Sequence, residues 1–245
     1  MSAFLRDTEH PIFWAQSLFA HWEMRGARVI NGTAALAIDT SKARQLALIA
    51  ALGLATPKTR VVHRAADVVV AADSIGYPLV VKANIGGAGA GIVRFDSRDE
   101  LRAAVVDGAL PNSIDGVLLV QDYVPARDGK ITRIETLNRT YLYAIDVAGA
   151  GAFDLCPADA CQVPGSTITM TAVEPSLALR SAAEVIAQRA SLDVGGVEVM
   201  IDDRDGTPRF YDINALSNFV ARPLDVLGWD PHERLVDQIE QWIKG

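Results

Sequence analysis

Cysteine is scarce in this chain: of 245 residues only two, Cys156 and Cys161, are cysteines, close together in CPADAC. One such pair builds no disulfide framework, and no nearby His or Cys completes a metal site, so both are expected as reduced thiols. The four histidines, His10, His21, His63 and His232, are scattered without ligand spacing and read as structural or surface residues. No apolar run approaches the ~18–20 residues of a membrane span, and the opening MSAFLRDTEH lacks the charged start and apolar core of a secretion signal. Nor is there a surplus of positive charge. The formal net charge of −7 offers no general attraction to nucleic acid or anionic membrane, so neither is an expected partner, and the expected compartment is cytoplasmic.

What the chain does have is apolar bulk, 50% of its residues, enough for one large domain or two small lobes. Periodicity predicts a helix over 11–25 with Ile12, Ala15, Phe19 and Trp22 inward, then a short strand in ARVIN. A second helix is capped near Asp39, Thr40 and Ser41, carries Leu46 and Ile49 inward, and stops at Gly53. TPKTRVV, PLVVKA, GIVRF and GVLLVQDYV read as strands. Short helices lie between them, one closed by Gly76 and one opened by a Ser97/Glu100 capping box. ITRIETL and TYLYAIDV form a hairpin turning at Asn138 and Arg139; residues 148–175 read as irregular. A helix over about Leu177 to Ala190, a hairpin GGVEVMIDD/PRFYDIN and a last helix bearing Leu235, Ile239 and Ile243 complete an α+β chain.

Two stretches carry chemistry. Gly86 to Gly91, between β-branched runs in VVKANIGGAGAGIV, holds four glycines and two alanines. Such a bare backbone suits either a phosphate approaching its amides or a flexible hairpin tip. It is not a P-loop, since no GK[ST] follows, nor a dinucleotide fingerprint, since a strand follows the glycines. In the last hairpin, a three-residue loop Arg204, Asp205, Gly206 would set Glu198 opposite Asp212, with Asn214 on the same face. Facing carboxylates repel unless solvent screens them or a cation joins them; two carboxylates and an amide are the hard oxygen donors Mg²⁺ takes. A solvated polar strand face is the other reading. Lys82, entering the glycine loop, and Lys42, opening a helix, would each read alone as a surface residue. Beside a glycine loop and an acidic hairpin they describe nucleoside triphosphate binding.

In order, SKARQLALIAALGLATPKT, YPLVVKANIGGAGAGI, VLLVQDYV and GGVEVMIDDRDGTPRFYDINALSNF resemble the ATP-grasp superfamily, most closely its glutamate-ligase (RimK-like) branch. The resemblance covers about residues 40–245. It implies two α+β lobes with ATP between them under a glycine-rich hairpin, a cofactor set of ATP and Mg²⁺ with Mn²⁺ as a substitute, and an ATP-grasp domain over 39–245. Residues 1–38 would be a partial N-terminal segment where relatives carry a full lobe before that fold, and homo-oligomerisation is left open. Lys42 and Lys82 would bind phosphates together with Gly86, Gly87, Gly89 and Gly91. Gln121, Tyr123 and Val124 would form the adenine hinge, Asp128 would bond the ribose, and Glu198, Asp212 and Asn214 would ligate Mg²⁺. Arg133 would face the reacting groups, with Lys82, as the catalytic pair.

The implied reaction joins a small-molecule carboxylate to an amine through an acyl phosphate. It needs no enzyme nucleophile, and no Ser/His/Asp or Cys/His motif is recognisable. Three departures stand against it. Asp154 and Cys156 occupy positions where relatives carry arginine and asparagine, Ile131 stands where an acid usually precedes the arginine by two residues, and the N-terminal segment is short. The alternatives are a nucleotide-binding subunit or regulator that has lost catalysis, and a phosphoryl transferase that does not ligate.

Overall fold

The computed structural model describes residues 11–86, 91–149, 168–215, 217 and 219–244, and among these the α+β expectation holds. Two antiparallel sheets organise the chain. The first has the order β1-β4-β2-β3, from β1 (Thr59–Val62), β2 (Leu79–Ala83), β3 (Ile92–Phe95) and β4 (Leu118–Asp122). Helices Ala65–Asp73 and Arg98–Val106 lie against it, burying Val68, Ala72 and Leu101 on Leu79, Val81 and Val120. The Ser97 cap is present, its Oγ accepting from the Glu100 amide at 3.3 Å, while the Glu100 carboxylate accepts from Asp96 N at 2.9 Å.

The second sheet has the order β7-β6-β5-β8-β9, from β5 (Lys130–Leu137), β6 (Thr140–Gly149), β7 (Ile168–Val173), β8 (Val194–Ile201) and β9 (Pro208–Asn214). Both of its faces are covered, so its central strands are buried almost continuously instead of alternating. Helices Leu177–Arg189 and Lys42–Ala51 cover one face, with Ile186 and Ile49 on Ile134, Val197 and Ile213. Phe219, Val220, Trp229 and the last helix, Pro231–Lys244, cover the other through Leu235 and Trp242 on Ile131, Tyr143 and Val147. Asn138 and Arg139, at φ 50° and 65°, make the predicted β5–β6 turn.

Four sequence expectations are corrected. Trp22 is 43% exposed, stacked on Phe19, while Ile12 and Ala15 do go inward. In the last helix Ile243 is exposed, and the part-buried Trp242 packs against the core instead. The segment 148–175 contains β7, an edge strand on β6. ARVIN is not a strand. There the side chain of Asn31, at φ 48°, does the pairing: Oδ1 accepts from Asp193 N and Val194 N at 2.7 and 3.1 Å, and Nδ2 donates to the carbonyls of Val194 and Ala215. Cys156, Cys161 and Asp154 lie outside the described residues.

Candidate active site

The carboxylate pair is built by the β8–β9 hairpin. Glu198 stands opposite Asp212, as the sequence predicts, but by a different route. The loop has four residues, closed by Asp202 N donating to Thr207 O at 2.9 Å with Gly206 at φ +76°. A bulge on β9, opposite the step from Glu198 to Val199, leaves Tyr211 unpaired and restores the register beyond it. Tyr211 thereby joins the site. It hydrogen-bonds Glu198, and its hydroxyl is held well above the usual phenol range, first by burial and then by the Glu198 charge. Asn214 Nδ2 lies 3.5 Å from both Glu198 Oε1 and Asp212 Oδ2.

Three cations converge on this pair. Lys42, the first residue of its helix, places Nζ 2.8 Å from Asp212 Oδ1. Arg133 on β5 is opposite Glu198 on β8, and its Nη1 donates to Glu198 Oε1 at 3.0 Å. Lys82 on β2 brings its ammonium 5.6 Å from the centroid of the Tyr211 ring, and among the described residues it makes no hydrogen bond or ion pair. Desolvation, and then the neighbouring Lys42, bring its amine down to about 8. Burial also acts on Glu198, raising its carboxyl together with the Asp212 charge, against the pull of Arg133. For Arg133 itself burial would lower the guanidinium, but Glu135 and Glu198 outweigh it and hold it above its ordinary value.

The two sheets are stitched together around the cluster. Asn84, buried just beyond β2, accepts on Oδ1 from Ala43 N at 2.9 Å and Ser41 Oγ at 3.2 Å, and its carbonyl accepts from Lys42 N at 3.2 Å. One residue thus ties the Lys42 helix to the strand of Lys82. Gln45, one turn along that helix, pairs with the β9 edge: Nε2 donates to Ile213 O at 2.8 Å, and Oε1 accepts from Ile213 N at 3.2 Å. At the hairpin tip, Arg204 grips Asp122 at the end of β4 at 2.6 and 3.2 Å, and fully buried Asp202 anchors both Arg204 and Arg209.

The remaining predicted residues lie as follows. Gly91 holds φ +77°, where its carbonyl accepts from Ala83 N at 2.9 Å and an added Cβ would stand 3.1 Å from that of Ala83. Gly86 is part-buried; Gly87 and Gly89 fall outside the described residues. Gln121 is buried on β4, its amide donating to Thr59 Oγ1 at 2.8 Å. Tyr123 N donates to Pro78 O at 3.2 Å under the Arg94 guanidinium, and Val124 is buried beside it. Asp128, at φ 56° in the turn Arg127–Gly129, points its carboxylate to Lys130 at 4.0 Å. Ile131 is buried in the apolar cluster, and the acid beside Arg133 is Glu135, two residues later, at 2.6 Å. Glu135, Tyr211, Asn84 and Gln45 are the site residues that sequence reading missed. Of these only Glu135 left a sequence signal, an acid on the same strand face as Arg133 in ITRIETL.

A family model described as a RimK-like ATP-grasp domain matches residues 39–222. A ribosomal protein bS6–L-glutamate ligase of Shigella boydii serotype 4 is 28% identical over 207 residues, 83% of this chain and 64% of the relative. The chain therefore spans just under two thirds of the length of the curated relatives it matches. In fold it is similar to the ATP-grasp ligase PsnB complexed with minimal precursor, with TM-score 0.68 and 20% identity over 94% of this chain and 68% of that one. The D-alanine–D-alanine ligase of Bacillus anthracis matches with TM-score 0.68 and 18% identity over 92% of this chain and 74% of that one.

Proposed function

The chain belongs to the RimK-like ATP-grasp family, and from that premise we propose that it is an ATP-dependent carboxylate–amine ligase working through an acyl phosphate. The observation that carries the proposal is the convergence of Lys42, Lys82 and Arg133 on Glu198 and Asp212 where the two sheets meet. Lys82, which has no hydrogen-bond partner among the described residues, is the group to take phosphate oxygens. Lys42 already holds an anionic oxygen and can exchange Asp212 for a phosphate at little Coulombic cost. Arg133, fixed by its other contacts, offers a planar donor set for the carboxylate to be activated.

The residues fit a divalent cation. Glu198 and Asp212 are facing carboxylates, kept together here by two cations, and Asn214 adds an amide that can turn nitrogen or oxygen to the same space. Mg²⁺, or Mn²⁺ in its place, would be held by these three and would supply charge neutralisation at the terminal phosphates. Counting Glu135, three carboxylates face three cations, so the cluster is balanced without ligand. A bare divalent cation would enter a neutral site, while a metal–nucleotide complex brings its own compensation. The hinge roles of Gln121, Tyr123 and Val124 and the ribose role of Asp128 complete the reading. The names of a relative and of two structural neighbours, which specify glutamate, D-alanine and a precursor peptide, support an amino acid, small carboxylic acid or peptide end as substrate.

The test is ADP release from MgATP across a panel of amino acids, short peptides and small carboxylic acids. The expected outcome is release that needs both a carboxylate and an amine and forms an amide detectable by mass. Asp212→Asn should lower that turnover by about a hundredfold or more while hinge contacts preserve much of the nucleotide affinity. ADP release with no dependence on an amine would point to phosphoryl transfer, and tight MgATP binding with no turnover on any pair to a binding subunit.

A further inference from the structure

Arg133 is held between two carboxylates, and only one of them belongs to the proposed cation site. Nη1 reaches Glu198 at 3.0 Å, whereas Nε donates to Glu135 Oε1 at 2.6 Å and Nη2 to Ser217 Oγ at 3.3 Å. Ser217 Oγ donates in turn to Glu135 Oε1 at 2.9 Å. Glu135 is 1% exposed, and its second oxygen, Oε2, is buried without a hydrogen-bond partner among the described residues. A half-satisfied buried carboxylate is a poor stabilising device, because apolar replacements of buried ion pairs are often neutral or better. Space is nevertheless cleared for it. An added Cβ at Gly196, across the ladder, would lie 2.8 Å from both Arg133 Nε and Glu135 Oε1.

The charge balance gives Glu135 a task. Lys42, Lys82 and Arg133 balance Glu135, Glu198 and Asp212; without Glu135 the cluster carries one net positive charge, which opposes a divalent cation. Glu135 is not itself offered as a ligand, since the Arg133 guanidinium stands between it and Glu198.

We propose that Glu135 is a positioning residue for the cation site: it holds Arg133 by the Nε edge and cancels its charge, so that Glu198 can leave Nη1 for a divalent cation. This rests on the cation reading of Glu198, Asp212 and Asn214. The test measures Mn²⁺ binding to the full chain in the presence of ADP, by the paramagnetic resonance of free Mn²⁺, with ADP affinity measured separately without metal. Glu135→Gln should weaken Mn²⁺ binding by about tenfold or more and leave metal-free ADP affinity unreduced. Arg133→Met with Glu135→Met, which restores neutrality with an apolar pair, should return Mn²⁺ affinity to within severalfold of wild type. A purely structural Glu135 would leave the double variant no better than the single one. Unchanged Mn²⁺ affinity in Glu135→Gln overturns the proposal. Should that variant not fold, a tenfold loss in the double variant overturns it equally. Wild-type protein that binds ADP without any Mn²⁺ dependence would instead sink the cation reading itself, a distinguishable failure.

Discussion

Lys82, part-buried on β2, carries its charge beside a second lysine, with the centroid of the Tyr211 ring 5.6 Å from its Nζ. Ligand-free protein bears the cost of that desolvated ammonium, and a phosphate would remove it. Because the amine is lowered to about 8 from an ordinary value of 10.5, the unfolded chain binds more protons than the folded one between those values. Stability should therefore rise with pH across that window, and the penalty should be fully present below about 8. Lys82→Met is expected to melt higher than wild type at pH 7 without ligand, to lose this advantage as pH rises past 8, and to bind ATP at least tenfold more weakly. Thermal melts from pH 7 to 10, with and without nucleotide, check all three; a variant less stable at every pH would show that the amine is not strained. Nothing in VVKAN separates this lysine from a surface one. Its unusual state comes first from burial and then from Lys42, which is remote in sequence and reaches it only in the fold.

At the scale of elements, helices and hairpins were legible where a local signal closed them, and β9 shows where such signals stop. The Asn138–Arg139 turn and the Ser97 cap are short-range chemistry and stand where the sequence puts them. In the last hairpin a loop one residue longer than expected is offset by the bulge at Tyr211, so Glu198 meets Asp212 although the intervening register differs. Side-chain periodicity could not reveal that, because both routes put the same carboxylates opposite each other. Nor could it reveal that the free edge of β9 is closed by side chains: Asp39 Oδ1 on Ala215 N at 2.9 Å, the Asn31 carboxamide on Ala215 O, and Gln45 on both groups of Ile213. Gln45 is 1% exposed and Ile213 fully buried, so losing that amide leaves two backbone groups unpaired between Asp212 and Asn214. Gln45→Leu should destabilise the protein by about 2–4 kcal/mol. It should also speed hydrogen exchange at the Ile213 amide, whereas the Val120 amide on β4 should be little changed. Urea unfolding and amide exchange give the two readings, and an unchanged Ile213 rate would show that the edge is held by something other than Gln45.

The whole molecule is two sheets joined by charged and polar contacts: Lys82 over Tyr211, Arg204 to Asp122, and Asn84 to the helix whose Lys42 holds Asp212. Two-lobed architecture and the acidic hairpin could be anticipated from four short motifs, but how the charges balance needed the fold, since Glu135 enters the count only once its side chain is seen on Arg133. The balance leads to a thermodynamic expectation for the intact chain. Mg²⁺ alone has to displace Lys42 and Arg133 from their carboxylates with nothing to receive them, so it should leave the melting temperature almost unmoved. Nucleotide alone satisfies Lys82 but brings its phosphates toward uncovered carboxylates, so its effect should be partial. Together they compensate each other, the phosphates taking the lysines and the cation taking the carboxylates. At a hundredfold excess over its dissociation constant the complex should add about 2.7 kcal/mol. For a chain of this size that is a rise of roughly 5–10 °C. The coupling is reciprocal, so nucleotide must tighten Mg²⁺ by the same factor that Mg²⁺ tightens nucleotide. A thermal-shift matrix of Mg²⁺ against ADP or ATP reads this directly. Additive shifts, with Mg²⁺ alone accounting for its share, would mean that the cation site is already formed without phosphate, and the exchange of Lys42 from Asp212 to a phosphate would have to be abandoned.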